Sequence, residues 1–109
     1  MNKTEYLLCC LTEELSEVQQ EIGKCLRFTC NHKPTEYPTT NIQRVALEMA
    51  DVYAITTMLY DEGVDVGIAV PYDDDMTEGQ RVRMQEKILR TTKLMDISKE
   101  LGALNVSAD

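Results

Sequence analysis

The chain has 109 residues, 43% of them hydrophobic and 28% charged, which is the composition of one ordinary globular domain and excludes a wholly disordered chain. Eleven basic residues against nineteen acidic ones give a net charge of −8, which argues against a broad nucleic-acid footprint but leaves a polyphosphate reachable through metal. Residues 1–5 are polar and no apolar run approaches the roughly eighteen residues that span a bilayer, so no signal peptide or membrane segment is expected, and a cytoplasmic location is.

Thr4 is placed to cap a first helix that runs to about Phe28. Within it Leu8, Leu11, Leu15, Val18, Ile22 and Cys25 recur at spacings of three and four, which draws one apolar stripe toward a core. At about 100° per residue, Glu14, Glu17 and Glu21 fall on one flank of that stripe, whereas Glu13 turns to solvent. Acids at i and i+3 sit about 5–6 Å apart and can converge on one cation. Cys9, Cys10, Cys25 and Cys30 have no C-x-x-C spacing and read as small buried apolar residues of a reducing compartment. His32, the only histidine, has no second imidazole nearby and is not expected to be a ligand.

Residues 29–40, TCNHKPTEYPTT, form a loop, because Pro34 and Pro38 interrupt any helix. The loop must turn the chain back, which makes the flanking helices antiparallel neighbours. It is also long enough to act as a lid or a base-recognition element over a polar site. Thr40 or Asn41 caps a second helix over 41–60 that is apolar nearly all round. Its only acids, Glu48 and Asp51, share a face with Val52, Ile55 and Leu59 and with Arg44 and Asn41, so they should point inward. A buried carboxylate neutralises, pairs or binds metal. Four such groups on two facing helices repel one another unless cations lie between them, and hard oxygen donors of this kind select Mg²⁺ or Mn²⁺. The competing structural explanation is salt bridging to Arg44, Lys24 and Arg27.

Gly63 stops the second helix, and Val64, Val66, Ile68 and Val70 alternate as a short extended piece would. The acids at 73–75 read as a solvated loop that places negative charge ahead of the next helix. Thr77 with Gln80 resembles a capping box for a third helix, 77–101. That helix carries Arg81, Arg83, Lys87, Arg90, Lys93 and Lys99, suited to a solvated outer face with inter-helix or inter-subunit pairing, or to contacts with substrate phosphates. Gly102 ends it, and 103–109 is a tail.

The order Glu14-x-x-Glu17, a loop, then Glu48-x-x-Asp51 resembles the all-α nucleoside triphosphate pyrophosphohydrolases of the MazG-like group. Glu13-Glu14, Lys24-x-x-Arg27-Phe28 and Asn41-x-x-Arg44 are similar to short bacteriophage-type members, so the resemblance covers roughly residues 11–60. Relatives often carry Gly after the Arg-Phe pair, where this chain has Thr29, and a small Gly where Ala50 stands; Glu21 lies outside the family pattern. The resemblance implies Mg²⁺-dependent hydrolysis of a ribo- or deoxyribonucleoside triphosphate to the monophosphate and pyrophosphate. In that reading Glu14, Glu17, Glu48 and Asp51 hold more than one Mg²⁺ and Glu17 doubles as the base that orients water. Lys24 lies within reach of a phosphate, with Arg27, Asn41 and Arg44 as further contacts to phosphate or base. The expected fold is all-α: one domain, 1–109, made of an antiparallel helical hairpin plus a third helix. So small a core, with a second helix apolar on more sides than one neighbour covers, favours a homodimer or homotetramer that completes a helical bundle. The rival function is a non-catalytic acidic helical module that binds another protein through a charged surface.

Overall fold

Each of three long helices begins at a capping box, in which the cap side chain and the residue three positions later satisfy each other's backbone N–H. Asn2 with Glu5 starts α1 (Lys3–Phe28), Thr40 with Gln43 starts α2 (Asn41–Asp61), and Thr77 with Gln80 starts α3 (Glu78–Glu100). The first cap is Asn2 rather than Thr4. The computed structural model describes residues 1–105, Asp73 by its backbone alone, and the only further regular element among them is a 3₁₀ turn at Asp73–Asp75. Asp74 and Asp75 are exposed there, as a solvated approach to α3 requires, and residues 106–109 of the expected tail lie outside the described residues.

α1 and α2 are antiparallel. The Lys3 ammonium meets Glu62 at 2.6 Å at one end of the pair, and the Asn41 amide donates to the Thr29 carbonyl at 2.8 Å at the other. α3 instead runs parallel to α2: Gln80 near its start donates to the Ala46 carbonyl at 2.9 Å, and beyond its end the Asn105 amide donates to the Met1 carbonyl at 2.8 Å. The connection over 62–77 must therefore retrace α2, about 31 Å at 1.5 Å per residue, a span that extended chain covers easily. Gly63 makes the reversal at φ 85°. Val64, Val66 and Ile68 then pack on the core while Asp65, Gly67 and Ala69 face out, so the predicted extended piece exists without forming a sheet.

α1 and α3 both pack along α2, which buries Ala50, Val52, Ala54, Ile55 and Leu59 completely. The core joins these to Leu7, Leu11, Val18, Met95 and Leu104. Truncating a side chain as buried as Leu59 to Ala costs about 2–5 kcal/mol. The stripe expected on α1 divides: Leu11 and Val18 enter the core, whereas Leu8, Leu15 and Ile22 remain 41%, 41% and 44% exposed. One neighbour along one side covers only part of so wide a stripe. The cysteines also depart from expectation, since Cys9 and Cys30 are exposed and Cys10 and Cys25 only half-buried. Among the described residues no helix is long and apolar enough to cross a membrane.

Candidate metal centre

Glu14 and Glu17 lie one turn apart on α1, Glu48 and Asp51 one turn apart on α2, and the antiparallel pairing sets the two pairs face to face. One carboxylate oxygen from each residue lies within 4.8 Å of the others. Glu14 and Asp51 are buried, Glu48 is half-buried and Glu17 stands exposed at the rim, while Glu13 points to solvent.

The counter-charges come from α3, not from the residues that α1 and α2 themselves offer. Lys87 Nζ approaches Glu14 Oε1 at 2.5 Å. Arg83 forks across the second pair: Nε donates to Asp51 Oδ1 at 3.1 Å, and Nη2 donates to Asp51 Oδ2 at 2.9 Å and to Glu48 Oε1 at 3.0 Å. Two cations do not satisfy four carboxylates. Glu14 Oε2 and Glu48 Oε2 are buried with no hydrogen-bond partner. Burial pushes the Glu48 carboxyl up to about 7; Arg83 opposes the rise, and the neighbouring carboxyls of Glu17 and Asp51 add to it. Burial also raises Glu14, against the pull of Lys87. Lys87 is raised in turn, because its bond to Glu14 and the nearby Asp51 outweigh the cost of burying its charge.

Four carboxylates against Arg83 and Lys87 leave a formal charge of −2, and the two buried oxygens without partners are hard donors. This donor set fits Mg²⁺ or Mn²⁺, which take carboxylate oxygen, and matches neither a thiolate nor an imidazole site. Beside it Asp51, Arg83, Glu86, Lys87 and Arg90 line an open cleft of about 310 Å³, with three cations at its wall. The sequence offers the basic residues of α3 for inter-helix pairing or for phosphate contacts without saying which of them meet the acids. A spacing of four between Arg83 and Lys87 puts both on one face, but nothing in the pattern reveals that α3 lies parallel to α2 with that face toward the acids.

Lys24, Arg27, Asn41 and Arg44 gather one to two turns away, around the remaining acid. Glu21 accepts from Lys24 Nζ at 3.0 Å and from Arg44 Nε at 3.1 Å. Arg44 also donates from Nη1 to the Thr39 carbonyl at 3.1 Å and from Nη2 to Asn41 Oδ1, and its guanidinium stacks 4.3 Å from the Tyr37 ring. Asn41 and Arg44 are buried, and their bonds to the Thr29 and Thr39 carbonyls pin the 29–40 loop. Burial works against the Glu21 charge, but the bonds from Lys24 and Arg44 prevail and hold its carboxyl below the usual range. Arg27 is exposed, 5.5 Å from the Phe28 ring centroid. A second cleft of about 310 Å³ opens here, walled by Lys24, Arg27, Phe28, His32, Tyr37 and Arg44 among others. A scan against protein-family models and searches of curated proteins and of solved structures found no match to this chain.

Proposed function

We propose that this chain is a Mg²⁺-dependent nucleoside triphosphate pyrophosphohydrolase, cleaving a ribo- or deoxyribonucleoside triphosphate and water to the monophosphate and pyrophosphate, as the MazG-like resemblance implies. The observation that carries the reading is the four-carboxylate centre with two buried, partnerless oxygens beside a cleft walled by cations. Glu14, Glu17, Glu48 and Asp51 would hold the metal, which when bound neutralises the triphosphate and lowers the pKa of an attacking water. Glu17, the exposed member, would orient that water and accept its proton. Arg83, Lys87 and Arg90 would take the phosphates, one of the roles the sequence allows the basic residues of α3, alongside the contacts that the resemblance assigns to Lys24, Arg27, Asn41 and Arg44. Arg83 and Lys87 are the ion-pair partners of the acids, so engagement with phosphate leaves the carboxylates free for metal. The aromatic cleft of Phe28, His32 and Tyr37 would take the base, with Lys24 and Arg27 at its edge. The same reading has the chain act as a homo-oligomer.

The burial of Glu14 and Asp51 weighs against the rival reading of a protein-binding acidic surface, since buried carboxylates present no charge to a partner. The test is to incubate the purified chain and Mg²⁺ with each common ribo- and deoxyribonucleoside triphosphate and to measure pyrophosphate and orthophosphate separately. Pyrophosphate in equal amount to monophosphate from at least one nucleotide is expected. Orthophosphate alone, or no release from any of them, would contradict the reading.

A further inference from the structure

Between the C-terminal half of α2 and the extended segment over 64–70 lies an open cavity of about 430 Å³, lined by Thr56, Tyr60, Val64, Asp65, Val66 and Ile68 among others. It shares no residue with the acid centre or with the cleft beside it. At about 100° per residue, Thr56 and Tyr60 stand roughly 140° and 180° around α2 from Asp51. Thr56 is the one buried residue among those that line the cavity, at 5% exposed, and its Oγ1 has no hydrogen-bond partner. Thr12, Thr57 and Thr92 donate to the carbonyl four residues back, at 3.1, 2.9 and 2.8 Å, the usual bond of a threonine within a helix. Thr56 does not, so a hydroxyl that can both donate and accept is left unused at a buried position, which is costly.

The charge around the cavity is a separate observation. No Lys, Arg or His occurs over 45–80, where Asp61, Glu62, Asp65 and the acids at 73–75 follow from the end of α2 onward. Lys3 pairs with Glu62. Asp65 is exposed, accepts from the Gly67 N–H through Oδ1 at 2.8 Å, and has no cation within ion-pair distance among the described residues. Tyr60, 66% exposed, stands in the last turn of α2, where no basic side chain offsets the negative end of the helix dipole. A carboxylate, an aromatic ring and a helix C-terminus all favour a cation.

We propose that this cavity binds an organic cation: a primary amine on an apolar ring whose far end carries a hydroxyl. The ammonium pairs with Asp65 beside Tyr60 at the mouth, the ring lies against Val64, Val66 and Ile68, and the hydroxyl takes up the unused bonding capacity of Thr56 in the interior. The same acids repel an anion, and a ligand without the hydroxyl leaves Thr56 unpaired. The volume falls within the roughly 300–1,000 Å³ of small-molecule sites, which are mostly apolar with a few polar groups. The inference concerns the face of α2 opposite Asp51 and holds whether or not the acid centre hydrolyses nucleotides.

The test is titration of the isotope-labelled full chain with tyramine, followed residue by residue by amide correlation NMR up to roughly 10 mM, tenfold above a millimolar Kd. Saturable shifts are expected at Thr56, Tyr60 and residues 64–70, and none of comparable size at Glu14, Asp51 or Arg83. Tyrosol, the neutral alcohol on the same ring, should bind at least about threefold more weakly, and hydroxyphenylacetate, the anion, more weakly still. Phenethylamine, which lacks the ring hydroxyl, should bind about fivefold more weakly than tyramine. Asp65→Asn alters an exposed side chain that can still accept from Gly67, so folding is safe, and it should reduce the advantage of tyramine over tyrosol. Thr56→Val removes an unpaired buried hydroxyl, so it should not lower the melting temperature, and it should abolish the preference for tyramine over phenethylamine. Tyramine that shifts nothing along the cavity, or shifts only the acid centre, overturns the proposal. So does tyrosol binding as tightly as tyramine, or a preference over phenethylamine that survives Thr56→Val.

Discussion

Two clusters of charge share α1, one turn apart, and they are built to opposite ends. At Glu21 one carboxylate meets two cations, every bond is made, and its proton affinity falls. At Glu14, Glu17, Glu48 and Asp51 four carboxylates meet two cations, two oxygens go without partners, and the proton affinities of Glu14 and Glu48 rise. The first arrangement is a clamp that ties the 29–40 loop to both helices. The second carries excess negative charge and leaves two buried oxygens open to a cation. The ratio of cations to acids and the count of unsatisfied oxygens set the two clusters apart, whereas the presence of acids does not.

The largest difference should appear in catalysis. Glu14→Ala removes a buried carboxylate of the centre and should lower kcat and kcat/KM together by two orders of magnitude or more, about 2.7 kcal/mol or above. Glu13→Ala, one residue away but exposed, should cost less than about tenfold. Comparable losses in the pyrophosphate-release assay would erase the contrast between inward and outward acids.

Stability should separate the clusters the other way. Arg44→Met leaves half-buried Glu21 with Lys24 alone and buried Asn41 without its guanidinium partner, and breaking a buried ion pair costs up to about 3–5 kcal/mol. Urea denaturation should show that loss, with hydrolysis reduced far less than by Glu14→Ala. A melting curve unchanged by Arg44→Met would mean that the clamp holds nothing.

In the metal-free protein the sign of the pH effect follows from Glu48. Its folded pKa of about 7 exceeds the unfolded value of 4.5, so the folded state holds the proton more tightly. Stability should therefore fall as pH rises from about 4.5 through 7, by on the order of 1–3 kcal/mol. Glu48→Gln should flatten this decline and leave the apo protein at least as stable as wild type at pH 8, while abolishing activity. Loss of stability in Glu48→Gln at that pH would instead make Glu48 a structural partner of Arg83.

The smallest effect tests the joint between the clusters and the loop. Thr29 sits at φ 73° and ψ 153°, a region that side chains avoid, held by the Asn41 bond to its carbonyl. Thr29→Gly should relieve that strain and raise stability by about 1 kcal/mol net of the entropy glycine adds to the unfolded chain. The result is read as a melting shift of several degrees.

Much of this is legible in the chain alone. Capping boxes arise from side-chain chemistry local to four residues, so the start of α3 and the helix stop at Gly63 can be read directly from the residue pattern, and the start of α2 to within one residue, Thr40 or Asn41. The start of α1 cannot be read so simply, because Thr4 competes with Asn2 as a cap and only the reciprocal bond to Glu5 decides between them. The inward set of acids follows from helix phase, because Glu14 and Asp51 keep step with Leu11 and Val52. What escapes the pattern is relational. The apolar stripe of α1 reads as single, yet only Leu11 and Val18 reach the core, since its width exceeds what one neighbour covers. Local spacing also points to Lys24, Arg27 and Arg44, within the hairpin, as partners of the acids. The partners lie on α3 instead, because the connection over 62–77 retraces α2 and delivers α3 in parallel, which no periodicity encodes.

The central claim is that the four-acid centre binds a divalent cation in the folded state. It is tested most directly by melting the wild type, Glu48→Gln and Glu21→Gln in EDTA and in excess Mg²⁺. Binding to the folded state alone adds about 2.7 kcal/mol at a hundredfold excess over Kd. The wild type and Glu21→Gln should therefore melt several degrees higher in Mg²⁺, and Glu48→Gln should lose most of that rise. Equal melting temperatures of the wild type in EDTA and Mg²⁺, or a rise that survives Glu48→Gln and disappears in Glu21→Gln, would contradict the assignment.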